Sequence, residues 1–171
     1  MKVQNVLLGI AASAAWALAA AGATAGTVTA TAPVSVTILA PVTLAATQGL
    51  DFGIVTRPGN ADSNTVAVDA SGGVTISGAG DATRAGGQVT PAKFNIAGDA
   101  GITYSTSQDL RFAEAGLTNV AATAPVPTNG SPGVIPASGV QEIRIGGSFD
   151  VSAASPIQAY TGSLSVTVNY N

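Results

Sequence analysis

The chain has 171 residues, six Lys+Arg against nine Asp+Glu, a formal net charge of −3, and neither His nor Cys. That composition offers no thiol nucleophile, no imidazole base, no disulfide and no soft-ligand set for a transition metal, and its few scattered positive charges make no basic surface for nucleic acid or an anionic membrane. Hydrophobic residues are 46% but aromatic residues only 5%, which describes one modest domain filled mainly by Val, Ala and Thr.

Residues 1–25 read as a secretion leader. Lys2 is followed by the uncharged run VLLGIAASAAWALAAA, and Ala21-Gly22-Ala23 and Ala23-Thr24-Ala25 both fit an A-x-A cleavage site. The run is short for a membrane anchor and no basic stop follows it. Trp16, the single tryptophan, lies inside it, so the cleaved product is expected to carry no Trp.

The next stretch, TVTATAPVSVTILAPVTL (27–44), alternates apolar and small polar residues along its whole length. Val28, Ala30, Ala32, Val34, Val36 and Ile38 share one face if the backbone is extended. At roughly 3.3 Å per residue the stretch reaches about 60 Å, whereas ordinary strands have about 5–6 residues. Part of it must leave its own domain, break direction or stay loose. Pro33 cannot donate a ladder hydrogen bond. It therefore marks a bulge or the end of the segment, with 34–40 then belonging to the subunit's own first strand.

Beyond the leader, Gly, Thr, Ser, Val and Pro favour strands and turns. Strands are expected over 27–39, 42–46, 50–55, 64–70, 73–78, 92–98 and 101–107. A weaker one falls at 109–114, two flank Gly146-Gly147 within 140–151, and the last covers 162–171. Residues 121–139, AATAPVPTNGSPGVIPASG, read as an exposed loop because their four prolines exclude a central ladder. Short strands separated by turn signals indicate an antiparallel sandwich or barrel.

No motif carries enzyme chemistry. GAGDAT (78–83) lacks the Lys-Ser/Thr ending of a phosphate loop and reads as a turn. The carboxylates show no calcium-loop spacing, and no G-x-S-x-G elbow occurs. On residue types alone a paired-carboxylate glycosidase stays open. Asn129-Gly130-Ser131 spells a glycosylation sequon within the loop. No catalytic residue, metal ligand or cofactor is expected.

The final strand alternates cleanly, with Leu164, Val166, Val168 and Tyr170 on one face and Ser163, Ser165, Thr167 and Asn169 on the other. A penultimate tyrosine in such a strand resembles pilin subunits of the chaperone–usher pathway. LDFG (50–53), AKFNIAGDAGITYS (92–105), IGGSFDV (145–151) and YTGSLSVTVNYN (160–171) resemble, in that order, a bacterial exported family of uncharacterised function. That family is itself similar to the spore coat protein U-like, archaic-type pilins.

The resemblance implies an all-β, immunoglobulin-like antiparallel β-sandwich that lacks one strand and is completed by a donated N-terminal strand. Residues 26–39 would be the donor extension and 40–171 the pilin-like sandwich. Val28, Ala30, Ala32, Val34, Val36 and Ile38 would enter a neighbour's groove, and Leu164, Val166, Val168 and Tyr170 would form one groove wall. The expected function is that of a structural fibre subunit at the bacterial cell surface. Its partners would be its own copies, head to tail, together with a periplasmic chaperone and an outer-membrane usher, and it would meet membrane only during export. The disulfide common in such pilins has no counterpart here.

Three alternatives stay open at the level of sequence. Residues 27–44 can fold back as two strands of their own sandwich, bent at Pro33 or Pro41. The protein can be a monomeric secreted adhesin or glycan-binding module that works through 121–139. An outer-membrane barrel also has alternating strands, but the chain lacks aromatic girdles.

Overall fold

The computed structural model describes residues 27–170; the expected leader, residues 1–25, lies outside them. The chain divides into a unit ending at Val36 and a body from Thr37 onward. In the first unit, residues 27–36 have no regular secondary structure and all are exposed, and residues 37–41 at the start of the body share both properties. The strand expected over 27–39 is therefore not formed. Alternation makes a segment fit for pairing, but a ladder partner is what makes it a strand.

Among its described residues the body contains twelve strands and no helix. They are β1 (Thr43–Gln48), β2 (Ile54–Val55), β3 (Ser63–Val68), β4 (Val74–Gly78), β5 (Arg84–Gly86) and β6 (Ala92–Ala97). They continue as β7 (Tyr104–Phe112), β8 (Thr118–Ala122), β9 (Val126–Pro127), β10 (Val140–Ile145), β11 (Gly147–Ser152) and β12 (Gly162–Tyr170). Every named pairing is antiparallel.

Two four-stranded sheets have the orders β1-β6-β10-β9 and β4-β3-β11-β8, and β12-β7 and β2-β5 are two-stranded ribbons. Period-two patterning decides which side each strand buries. In β6, Ala92, Phe94 and Ile96 are buried while Lys93, Asn95 and Ala97 are only half-buried. In β10, Gln141, Ile143 and Ile145 point inward.

The β12-β7 ribbon covers the first sheet. Phe94 and Ile96 of β6, Ile143 and Ile145 of β10, and Tyr104 of β7 form one buried cluster, against which Val42, Leu44, Leu164, Val166 and Val168 pack. The molecule is thus an antiparallel β-sandwich, as expected from the sequence. A second cluster joins Val66, Phe149 and Val151 to Phe52, Phe112 and Leu117.

The two four-stranded sheets are linked through Gly146, the single residue between β10 and β11. A Cβ there would lie 1.9 Å from the carbonyl oxygen of Val68, so only glycine lets the backbone turn this corner. The Gly146 N–H donates to Thr123 Oγ1 at 2.8 Å, and its carbonyl accepts from the Thr123 N–H at 3.0 Å.

Residues 121–139 are less free than a loop reading implies. They contain the end of β8 and all of β9, and Ile135 is 1% exposed inside the first cluster. Pro127 is tolerated because β9 is the edge of its sheet. The carboxamide of Gln141, itself fully buried, donates to the carbonyls of Asn129 (2.8 Å) and Ser131 (2.9 Å). The Tyr104 hydroxyl donates to Gln141 Oε1. The Asn129 side chain spans to the next strand, donating to the Val140 carbonyl (2.9 Å) and accepting from the Glu142 N–H (3.0 Å).

Candidate functional site

Among the strand edges left without a ladder, those of β1 and β12 border the same groove. β1 stands at the end of its sheet, and among the described strands β12 pairs with β7 alone. Between them lies a groove of about 1000 Å³. One rim runs from Ala46 in β1 to Val55 in β2, and the other from Ser155 to Leu164 at the start of β12. The end of β1 thus faces the beginning of β12, so the two edges run in opposite directions.

The floor is apolar and aromatic: Phe94, Leu110, Phe112, Phe149 and Val151. Phe52 and Phe149 meet edge to face with ring centroids 5.0 Å apart, Phe112 and Phe149 do so at 5.6 Å, and Tyr160 approaches Phe112 at 6.2 Å. Quadrupole contacts of this kind fix ring positions beyond what burial alone would do. Apolar side chains also stand at the rim, Ile54 being 59% and Ile157 83% exposed.

Polar groups near the groove are committed to structure. Arg57 reaches the Ser155 carbonyl at 3.5 Å, and the Ser155 hydroxyl donates to the Gly116 carbonyl at 2.7 Å. At the mouth, Thr161 donates its N–H (2.6 Å) and its hydroxyl (2.8 Å) to the Glu114 carboxylate. The hydroxyl first, then the N–H, hold that carboxyl below its ordinary value. Among the described residues no cluster of three or more His, Cys, Asp or Glu is placed to hold a metal. The arrangement suits an apolar, strand-shaped occupant.

The direction of the backbone groups along β12 follows from one hydrogen bond. The Thr161 carbonyl accepts from the Ala113 N–H at 2.8 Å, so the groups of Thr161 point toward β7. The β12-β7 register is unbroken from Gly162↔Phe112 to Tyr170↔Tyr104. Directions alternate along a strand. Ser163, Ser165, Thr167 and Asn169 therefore spend their N–H and C=O groups on β7. Those of Gly162, Leu164, Val166, Val168 and Tyr170 point to the open edge.

The residues singled out from sequence fall into two sets. Leu164, Val166 and Val168 are half-buried on the inner face of β12, packed against the first cluster. The backbone of Tyr170 continues the same ladder, while its side chain lies outside the described residues. The second set lies in exposed chain without regular secondary structure. Val28, Val34, Val36 and Ile38 are 93%, 94%, 83% and 89% exposed, and Ala30 and Ala32 are exposed as well.

Sequence reasoning missed the opposite rim and the aromatic floor. The signal for them was present in LDFGIV (50–55), whose Phe52 belongs to the floor cluster. Only folding shows that Phe52 and Phe149, distant in sequence, meet.

A family model described as a domain of unknown function, DUF4402, matches residues 42–170. The chain belongs to that family. No curated protein and no solved structure matches it.

Proposed function

We propose that this DUF4402 chain is a structural subunit of an extracellular fibre at the bacterial surface, in which the leading segment of one copy completes the sandwich of the next. The observation that carries this reading is a complementary pair of defects: an exposed apolar segment at 27–38 and an apolar groove between two unpaired strand edges. Each alone is an aggregation hazard. Together they fit β-augmentation, with main-chain hydrogen bonds along the edges and alternate side chains in the groove.

Burying each Val or Ile is worth roughly 1–3 kcal/mol and each Ala less, so the six side chains sum to about 10 kcal/mol before ordering costs. That is enough for a long-lived link without a disulfide. An immunoglobulin-like arrangement lacking one strand, a leader at 1–25, and a chaperone and usher that shield and order the subunits belong to this same reading. So do the absence of enzyme activity and of any cofactor.

Completion within one copy by a strand parallel to β1 is opposed by connectivity, whereas a segment turned back at Pro41 would run antiparallel to β1. The segment runs straight into β1 at Thr43. A strand lying beside β1 and parallel to it would need a crossover of a dozen or more residues, and no such length separates Ile38 from Thr43. Deleting residues 26–38 should leave export intact and abolish surface fibres seen by electron microscopy. Fibres that persist in the deletion strain would refute the assignment.

A further inference from the structure

Asn129-Gly130-Ser131 spells a glycosylation sequon, but the first two of these residues carry a second chemistry. Of the chain's asparagines only Asn129 precedes a glycine. Glycine has no Cβ, so its backbone nitrogen offers the least hindered approach to the preceding side chain. We infer that Asn129 is a site of spontaneous deamidation, held shut by the folded body, whose product leaves the 128–134 turn unable to close again. This chemistry needs a single copy and stands apart from the fibre reading.

The Gly130 nitrogen loses its proton to solvent hydroxide and attacks Asn129 Cγ. The bond from Cγ to Nδ2 breaks, and ammonia leaves with a proton taken from water. Water then opens the succinimide at either carbonyl, giving aspartate or isoaspartate. Asn129 and Gly130 are both exposed, so solvent reaches them. Among the described residues no acceptor occupies the Gly130 N–H.

What the fold withholds is the freedom of Asn129. Its amide donates to the Val140 carbonyl at 2.9 Å, and its side-chain oxygen accepts from the Glu142 N–H at 3.0 Å. Its own carbonyl accepts from the amide of Gln141 at 2.8 Å, and Gln141 is fully buried and tied to Tyr104. Side chain and main chain are thus both pinned to β10. Ring closure turns the carboxamide out of the plane these bonds fix and detaches Nδ2 from Val140. It therefore waits for the turn to open.

The product cannot restore the latch. A carboxylate only accepts hydrogen bonds, so an oxygen would stand where Nδ2 donated, 2.9 Å from the Val140 carbonyl. Isoaspartate adds a methylene to the main chain beside Gly130. There φ is 72° and a Cβ would lie 3.2 Å from Pro136 Cβ, which leaves no slack for the longer backbone. A reversible opening of the turn becomes a permanent one.

The full-length chain is incubated at mildly alkaline pH, native and unfolded in guanidinium chloride, and conversion at Asn129 is followed by peptide mass spectrometry. The native chain should convert about tenfold or more slowly than the unfolded one, because ring closure waits on local opening. Gln141→Ala frees the Asn129 carbonyl and should bring the native rate toward the unfolded one. Guanidinium below the unfolding transition should do the same in the unmodified chain, which covers the case in which that variant does not fold. Asn129→Asp should be cut by protease within 128–134 faster than the unmodified chain. Equal rates in the native and unfolded chain overturn the inference. So do a native rate unmoved by both Gln141→Ala and low guanidinium, unchanged cleavage of Asn129→Asp, or a glycan found on Asn129.

Discussion

The hydroxyl of Tyr104 donates to the side-chain oxygen of Gln141, a residue with no exposed surface. The pair joins β7 to β10, and through the Gln141 amide it holds the carbonyls of Asn129 and Ser131. A buried network of this kind is costly to leave half-satisfied.

Tyr104→Phe should therefore destabilise the body by about 1–3 kcal/mol, because it orphans a buried acceptor. Gln141→Ala should release the 128–134 turn in addition. Urea unfolding measures the first effect, and limited proteolysis within 128–134 the second. Unchanged midpoints and cleavage in both variants would mean that the network carries no weight.

Val36 and Phe149 should separate assembly from folding. Val36 is 83% exposed and Phe149 6%. Val36→Asp is expected to change the stability of an isolated copy by less than about 0.5 kcal/mol. It should nevertheless block assembly, since a carboxylate in the groove would be buried and unpaired. Phe149→Ala removes a ring from the groove floor and should cost about 3–5 kcal/mol in the copy itself. Thermal melts beside sedimentation of the same samples distinguish the two. Normal assembly by Val36→Asp would contradict the use of that side chain in the interface.

Acid should loosen the turns before it touches the core. Asp69 is held below its ordinary value of 3.8 first by the Ser71 hydroxyl and then by the Gly73 and Ser71 N–H groups. Asp81 is held below the same value first by the Gly59 N–H and then by that of Asn60. For a lowered carboxyl, the stabilisation is fully present above the ordinary value and is lost as pH falls through the folded one. Tm should be flat from neutrality to about pH 5 and fall in more acidic solution. Asp69→Asn and Asp81→Asn should each flatten the fall. A wild-type Tm that holds steady through pH 3 would contradict the role of these turns.

Most of the sandwich was legible where a strand is long and one face is buried. The expected 92–98, 140–151 and 162–171 correspond to β6, β10 with β11, and β12. Elsewhere local patterning was too thin. The expected break between 101–107 and 109–114 is one continuous strand, β7, because the polar residues Gln108 and Asp109 sit in a ladder held by its register with Val166 and Ser165. β5, β8 and β9 are short and carry no strand signal of their own; tertiary pairing with β2, β11 and β10 makes them strands. The inner face of β12 was visible as the alternation of Leu164, Val166 and Val168, of which Leu164 lines the groove. The groove's aromatic floor was not, because it is assembled by contacts between Phe52, Phe112 and Phe149 that no local pattern encodes.

Hydrogen exchange at the open edge of β12 tests donation between copies most directly. The amides of Leu164, Val166 and Val168 point away from β7, so a copy lacking residues 26–38 should exchange them rapidly while Ser165 and Thr167 stay protected. In assembled full-length chain, the same three amides should become strongly protected. Equal exchange at Leu164, Val166 and Val168 in the two samples would contradict completion of one copy's sheet by another's leading segment.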